Sequence, residues 1–272
     1  MSEDYRHYQR HGRDDKPHVL MLHGFLGSGE DWAEVIQRLL PDASCLTVDL
    51  PGHGRTRIRT GDEAYTLAGA AAGLVQLLDD LALPPVTLVG YSMGGRLALY
   101  LALTYPERFT GLVLESASPG LADPIERQAR QERDERLAEE LESQGLEEFL
   151  KHWYDQPLFN SLKQHPRFVD LCRRRMNNIP AELVKSLRWM GVGRQPSLWE
   201  DLGRISLPLL VVVGERDVKF RDLAAQMVAR QPAARLAVIS GSGHNVHFEK
   251  PDEMAEQIKN FILSEVGTNE YR

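Results

Sequence analysis

The sequence contains little cysteine and has no excess of positive charge. Among its 272 residues only Cys45 and Cys172 are cysteines, and their separation fits neither a metal-binding nor a redox motif. Two isolated cysteines do not indicate a disulfide framework, which favours a reducing compartment. The formal net charge of −7 gives no broad electrostatic basis for binding nucleic acid.

Long hydrophobic runs and cofactor motifs are also missing. No apolar stretch approaches the roughly 20 residues that a transmembrane helix needs, and the first seven residues are polar, without the apolar core of a secretion signal. The sequence lacks His-Glu-x-x-His, paired cysteines, a Walker loop and a Gly-x-Gly-x-x-Gly unit. We therefore expect a soluble cytoplasmic protein that binds no membrane, metal or cofactor, as a monomer or a weak homo-oligomer.

Short apolar runs alternate with helical patterns over most of the chain. Runs typical of strands covered on both faces occupy 18–22, 45–48, 86–89, 111–114, 208–213 and 235–239. Helices are predicted near 30–40, 66–82, 93–105, 222–230 and 252–264, with Asp222 marking one helix start. This alternation predicts an α/β protein with a doubly wound, mostly parallel sheet. The stretch 5–12 is predicted to add an antiparallel edge strand.

The alternation stops between about 120 and 200, where the chain is charged, helical in character and free of convincing strands. The next buried strand begins near 208. The length of the chain fits one large α/β domain with an insertion. We therefore predict a core formed by 1–119 and 201–272, with a helical cap insertion at 120–200 folded over one end of the sheet.

A Gly-x-Ser-x-Gly motif at 90–94 is the most informative segment. It directly follows the apolar run at 86–89 and directly precedes a helical pattern. A serine on such a sharp turn is held in an exposed, strained position, and Gly90 and Gly94 remove side chains that would clash there. The helix that follows directs its free N–H groups at the same point. This context predicts that Ser92 attacks a carbonyl carbon or holds a proton in a relay.

A serine hydroxyl needs a base, and the base needs a carboxylate that orients it. Asp217 follows the strand at 208–213, and His244 follows the last strand. Loops after parallel strands converge at one edge of the sheet, so Ser92, Asp217 and His244 are predicted to form a catalytic triad. Three other residues remain as competing assignments for the acid or the base: Asp222, Glu215 and His247.

Negative charge that develops on a substrate oxygen needs preorganised donors. We predict an oxyanion hole formed by the N–H groups of Met93, which follows the serine, and of Phe25, in the loop after the first buried strand. Gly24 would let that loop approach closely. His23 and His53 are predicted to support the loops rather than to act as bases.

Several segments resemble the landmarks of the α/β-hydrolase superfamily across nearly the whole chain. They are Leu-His-Gly-Phe-Leu-Gly-Ser at 22–28, Asp-Leu-Pro-Gly-His-Gly at 49–54, Gly-Tyr-Ser-Met-Gly-Gly at 90–95, Gly-Glu-Arg-Asp at 214–217 and Gly-His-Asn-x-His-x-Glu-x-Pro at 243–251. The resemblance implies the α/β-hydrolase fold with a cap, but the fold alone does not determine the reaction.

Four segments together resemble the 2-succinyl-6-hydroxy-2,4-cyclohexadiene-1-carboxylate synthases: 90–96, 153–159, 214–220 and 243–247. This resemblance implies a lyase of menaquinone and phylloquinone biosynthesis that eliminates pyruvate after abstracting a proton. Two alternatives remain. One is a serine carboxylesterase or C–C bond hydrolase with the same triad. The other is a non-catalytic binding protein of the same fold, which the presence of all three triad side chains disfavours.

The resemblance implies a small, multiply anionic substrate, and arginine binds a carboxylate with two parallel hydrogen bonds. Arg96 lies one turn into the helix after Ser92 and is the first candidate to contact the substrate. The family pattern adds Arg130 and Arg175 as substrate contacts, with Trp153 and Tyr91 lining the pocket. Alternatively, Arg130 pairs with Glu126 on a solvated helix, and Trp153 belongs to the core of the insertion.

Overall fold

A computed structural model describes residues 6–266 of the chain. Its seven strands are β1 (Tyr8–His11), β2 (His18–Leu22), β3 (Ser44–Val48), β4 (Val86–Tyr91), β5 (Phe109–Glu115), β6 (Leu209–Gly214) and β7 (Arg235–Ile239). Its helices are α1 (Ala33–Leu39), α2 (Leu67–Asp80), α3 (Met93–Thr104), α4 (Pro124–Gln144), α5 (Leu146–Tyr154), α6 (Asn160–Lys163), α7 (Phe168–Arg175), α8 (Pro180–Met190), α9 (Val218–Arg230), α10 (Val246–Glu249) and α11 (Pro251–Phe261). Short 3₁₀ segments span Gly29–Trp32, Asp62–Tyr65, Pro106–Arg108, Pro157–Phe159 and Leu202–Arg204, and a π-helical segment spans Ile262–Val266.

The strands form one sheet in the order β1-β3-β2-β4-β5-β6-β7. All neighbours are parallel except β1, which pairs antiparallel with β3 and places Tyr8 opposite Val48. The predicted mostly parallel sheet is thereby confirmed, as is the antiparallel edge strand over 8–11. Tyr5, the start of that predicted stretch, lies outside the described residues. The strand order reverses between β2 and β4, which is where sites form in open α/β sheets.

Helices cover both faces of the sheet because its central strands are apolar on both sides. In β2, Leu20 and Leu22 pack on the face that carries α2 and α3. Val19 and Met21 pack on the opposite face, against α1 and α11. All four side chains are fully buried, and each such burial contributes about 1.5–3 kcal/mol. This two-sided core holds the strand ends, and the loops that follow them, in fixed positions.

Five helices, α4 to α8, lie between β5 and β6 in the chain and form a cap with its own core, which includes Phe149, Leu171 and Leu183. Leu26, in the loop after β2, and Phe248, in α10, belong to the same core. The cap therefore packs on the end of the sheet at which the parallel strands finish.

Helix α9 begins earlier than the sequence pattern predicts. It starts at Val218 because the carboxylate of Asp217 accepts the amide of Phe220 at 3.4 Å and caps the helix. The prediction that Asp222 marks this helix start is therefore wrong. No helix between residues 6 and 266 is long and apolar enough to cross a bilayer.

Candidate active site

Ser92 occupies the tight turn between β4 and α3. Its φ of 49° and ψ of −105° lie in a region that non-glycine residues rarely adopt. A Cβ at Gly90 would lie 2.5 Å from the carbonyl oxygen of Gly94, and a Cβ at Gly94 would lie 2.5 Å from the carbonyl oxygens of Leu22 and His23. The two glycines are therefore required for the close approach that raises Ser92 above the sheet edge.

The structure brings together the three side chains of the predicted triad. The Nε2 atom of His244 lies 3.1 Å from the Oγ of Ser92, and its Nδ1 lies 2.6 Å from the Oδ2 of Asp217. His244 and Asp217 are only 2% and 5% exposed, so their interaction is shielded from water. With its proton on Nδ1, the imidazole donates to the carboxylate and can accept the serine proton on Nε2.

The competing assignments lie elsewhere. Glu215 is exposed and accepts hydrogen bonds from the Gly241 amide at 2.9 Å and the Ser240 hydroxyl at 3.0 Å, which lower the pKa of Glu215. Asp222 is exposed on α9. His247 is buried and lies next to Glu115. Within residues 6–266, none of these three side chains forms a hydrogen bond with Ser92, whose Oγ pairs with His244.

Glu115, at the end of β5, is a residue that the sequence analysis did not identify. Its carbonyl oxygen accepts the amide of Ser92 at 2.9 Å, and its carboxylate accepts the amide of His247 at 3.0 Å. The Nδ1 of His247 lies 2.9 Å from the same carboxylate, and both side chains are fully buried. Glu115 therefore connects the turn that carries the serine with the loop that carries His244. A glutamate that directly follows the apolar run at 111–114 was the available sequence signal.

Two backbone amides near Ser92 are predicted to form the oxyanion hole, those of Met93 and Phe25. Met93 is the first residue of α3, so its N–H has no partner within the helix. Neither this amide nor that of Phe25 donates a hydrogen bond to any group in the described part of the chain. A Cβ on Gly24 would lie 3.6 Å from the Cβ of Ser92 and 2.5 Å from the Tyr91 ring, so glycine permits this approach. The two amides are thus without a protein acceptor in this part of the chain, and their role as an oxyanion hole stays a prediction.

His23 and His53 support the loop that carries Phe25. The Nε2 of His23 accepts the amide of Leu50 at 2.9 Å, and its Nδ1 donates to the carbonyl of Gly24 at 2.7 Å. The ring of His53 packs edge-on against His23 and Phe25, at centroid distances of 5.1 and 5.5 Å. Burial lowers the pKa of both histidines, so both are neutral at pH 7.

A cavity of about 410 Å³ opens beside Ser92, between the sheet and the cap. Cationic groups on its walls come from both parts of the chain: Arg96, Arg130, Lys219 and Arg230. Three acidic residues also contribute to the walls: Asp123, Glu126 and Glu200. This cavity therefore combines the nucleophile with side chains that can bind an anion.

Arg96 is the most enclosed of these cations, with 7% of its surface exposed. Its guanidinium donates to the carbonyl of Met190 at 2.9 Å and to the Gln195 side chain at 3.3 Å. Burial, together with the nearby Arg130, lowers the pKa of Arg96 to about 10, so the group remains charged at neutral pH. Arg130 pairs with Asp134 at 2.7 Å, instead of with Glu126 as the solvated-helix alternative had it.

The other three predicted substrate contacts lie outside the wall of this cavity. Tyr91 is buried beneath the imidazole of His244, at a ring centroid distance of 5.4 Å. Trp153 packs on the ring of Phe25 at 4.9 Å and on Phe149 at 5.8 Å. Tyr91 and Trp153 therefore contact His244 and Phe25, respectively, without lining the cavity.

The expectation that Arg175 reaches this cavity is not met in the structure, because its guanidinium is bound elsewhere. The Nη1 atom lies 2.8 Å from the Oδ1 of Asp31, and the Nε donates to the Tyr154 hydroxyl at 3.2 Å. Within residues 6–266, no group of three or more His, Cys, Asp or Glu side chains is arranged to hold a metal ion.

Comparisons with known proteins agree with this geometry. A family model described as "alpha/beta hydrolase fold" matches residues 17–251. The chain is 36% identical over 242 residues to the 2-succinyl-6-hydroxy-2,4-cyclohexadiene-1-carboxylate synthase of Escherichia coli, covering 89% of this chain and 92% of the relative. It is 35% identical over 260 residues to the Arabidopsis thaliana protein PHYLLO, chloroplastic, but it spans only 15% of that protein's length.

A solved structure, MenH from S. aureus, superposes with a TM-score of 0.90 at 32% sequence identity. The superposition covers 95% of this chain and 98% of that chain, so the cap is part of the similarity as well as the sheet.

Proposed function

Because the chain belongs to the alpha/beta hydrolase fold family and, within it, to the 2-succinyl-6-hydroxy-2,4-cyclohexadiene-1-carboxylate synthases, we propose that it catalyses the reaction for which these relatives are named. It would eliminate pyruvate from 2-succinyl-5-enolpyruvyl-6-hydroxy-3-cyclohexene-1-carboxylate, a step of menaquinone or phylloquinone biosynthesis. The observation that carries this proposal is the hydrogen-bonded relay of Ser92, His244 and Asp217. Its serine lines a cavity whose wall also includes Arg96. Both cysteines are free thiols, which supports a cytoplasmic location.

In the proposed mechanism Ser92 acts as a base and forms no acyl-enzyme. The imidazole of His244 takes the serine proton, and the serine oxygen removes a proton from the substrate ring carbon next to the succinyl carbonyl. The electron pair forms a double bond to the next ring carbon, the existing ring double bond shifts by one position, and the C–O bond to the enolpyruvyl group breaks. The imidazolium of His244 returns its proton to the departing enolpyruvate, which becomes pyruvate, and Ser92 keeps the proton taken from the ring. The N–H groups of Phe25 and Met93 stabilise the negative charge that develops on the succinyl oxygen. Asp217 stabilises the imidazolium.

The substrate carries several carboxylates, and the cavity offers fixed positive charge to receive them. Arg96 is held by two hydrogen bonds, so little side-chain entropy is lost when it binds a carboxylate. Arg130 is oriented by Asp134 on the opposite, cap side of the cavity. We propose that these two arginines bind different carboxylates of one substrate and thereby orient it over Ser92.

A serine carboxylesterase remains the second candidate, because the same relay and the same pair of free amides also suit acyl transfer. The two functions differ in bond cleavage. The lyase releases pyruvate without hydrolysis, whereas the esterase forms an acyl-enzyme and shows a burst of the first product.

The decisive experiment compares pyruvate release from the cyclohexene substrate with hydrolysis of simple activated esters. We expect fast elimination and slow ester hydrolysis, and we expect Ser92→Ala to lower elimination by at least about 10³-fold. Ser143→Ala is the control, because this exposed hydroxyl bonds only to carbonyls of its own helix. Fast ester hydrolysis with negligible pyruvate release would assign the esterase. Binding without turnover of either substrate would indicate a non-catalytic protein.

A further inference from the structure

A second cavity, of about 340 Å³, lies where the cap meets two loops of the core. One wall comes from the loop after β2, the second from the loop after β3, and the third from the end of α7. Four arginines face it: Arg55, Arg57, Arg174 and Arg175. Its walls share no residue with those of the cavity at Ser92.

The acidic groups near this cavity are already engaged. The carboxylate of Asp49 accepts the amides of Gly29 at 2.8 Å and Arg55 at 2.7 Å, and it lies 3.0 Å from the Nδ1 of His7. The carboxylate of Asp31 is bound by Arg175 at 2.8 Å. Asp49 is thus bound by backbone amides and His7, and one oxygen of Asp31 is shared between Arg175 at 2.8 Å and, more loosely, Arg174 at 3.8 Å.

Arg174 consequently has only a long, shared contact with a carboxylate, and Arg57 has no carboxylate partner within residues 6–266. The Nε of Arg174 is buried and has no hydrogen-bond partner within residues 6–266. Its Nη2 lies 3.8 Å from the Asp31 oxygen that already binds Arg175. The Nη1 of Arg57 donates to the carbonyls of Gly54 and Thr56, which are neutral acceptors. Arg55 makes only a loose, exposed contact of 3.7 Å with Glu30.

We infer that this cavity is a second anion-binding site, which takes a small ligand with two or more carboxylate or phosphate groups. Guanidinium groups bind both kinds of group through paired hydrogen bonds, and the buried Nε of Arg174 has no acceptor in the described part of the chain. Arg174 lies on the cap and Arg57 on the core, so one ligand contacts both parts.

The site is coupled to the oxyanion loop through Asn178. Its amide nitrogen donates to the carbonyl of Leu26 at 2.9 Å, and its Oδ1 accepts the amide of Gly54 at 2.9 Å. Leu26 follows Phe25, whose N–H is the proposed oxyanion donor. An anion bound between Arg174 and Arg57 would therefore hold the cap against the loop that supplies the oxyanion donor. This effect on turnover rests on the proposed function, whereas the binding itself does not.

Isothermal titration of the whole protein with pyrophosphate and with succinate, at constant ionic strength set with chloride, tests the inference. We expect Arg174→Gln and Arg57→Gln each to weaken anion binding by at least about tenfold. Arg173→Gln is the matched control on the same helix, because this exposed side chain pairs with Asp170. Preference for pyrophosphate or for succinate identifies a phosphate or a carboxylate ligand.

An Arg96→Gln variant separates the two cavities, because an anion at the second site should still bind to it. The inference is overturned if neither anion binds, if affinity stays within twofold in both Arg174→Gln and Arg57→Gln, or if only Arg96→Gln abolishes binding. Unfolding temperatures of all variants identify any change that is due to misfolding. Pyruvate release by the wild-type protein is measured separately, so a failure of the proposed lyase activity is distinguishable from a failure of this site.

Discussion

Replacing Asp217 with asparagine should disable the relay without disturbing the fold. The Oδ1 of Asp217 accepts the amide of Phe220, and its Oδ2 faces the Nδ1 of His244 at 2.6 Å. An asparagine that keeps the cap interaction through its oxygen turns its NH₂ group toward His244. The imidazole must then accept on Nδ1 and carry its proton on Nε2, where it cannot accept the proton of Ser92.

The size of the loss follows from this geometry. The imidazolium loses a buried carboxylate at hydrogen-bond distance, and the neutral ring is held in the wrong tautomer, so kcat for pyruvate release should fall about 10⁴-fold. At 1.36 kcal/mol per decade this corresponds to about 5.4 kcal/mol. KM should change little, because Asp217 is absent from the wall of the cavity at Ser92.

Glu215→Gln is the matched control, since Glu215 lies two residues away and was the competing acid. Steady-state kinetics of both variants, with unfolding temperatures, separate chemistry from folding. We expect Glu215→Gln to keep kcat within a few fold. A retained kcat in Asp217→Asn, or an equal fall in both variants, would refute the assignment of Asp217.

Two further predictions concern the oxyanion loop. Gly24→Ala should lower kcat by about 10²–10³-fold, because the new methyl group would meet the Tyr91 ring at 2.5 Å and displace the donor loop. Gly203→Ala, where the new methyl group would lie 3.8 Å from the carbonyl oxygen of Arg230, should leave kcat unchanged; equal kinetics for both variants would contradict this role of the loop. Burial lowers the pKa of His23, so the unfolded chain binds the extra proton more readily, and stability should be lost as the pH falls below about 6.5. Urea midpoints at pH 7.5 and 5.5 should therefore decrease more in the wild type than in His23→Gln, and equal decreases would argue against His23 as the cause.

The sheet and the loops that carry the triad were predictable because both follow from the burial of parallel strands. Parallel strands buried on both faces are continuous apolar runs, and their following loops must meet at one edge. Ser92 and Asp217 follow such runs. His244 follows β7, an edge strand with Leu236 and Val238 exposed, so the prediction that 235–239 is covered on both faces was wrong, although its apolar residues still marked a strand.

The cap residues were harder to place because helix rotation and distant partners determine where each side chain points. Two of the three consecutive arginines at 173–175 point in different directions: Arg173 outward to Asp170, and Arg175 inward to Asp31, which lies 144 residues earlier in the chain. Glu115 was overlooked for a related reason, since its partner His247 is 132 residues away and becomes its neighbour only in the folded sheet.

Glu115, at the end of β5, binds both the turn that carries Ser92 and the loop that carries His244. One residue therefore helps to set the distance between the serine oxygen and the imidazole. The Ser92 amide and the His247 amide, three residues after His244, are both bound to Glu115, so we expect the distance between the serine oxygen and the imidazole to depend little on the position of the cap helices. Selection for new substrates can therefore remodel the cap and its arginines while the chemical step below is inherited unchanged.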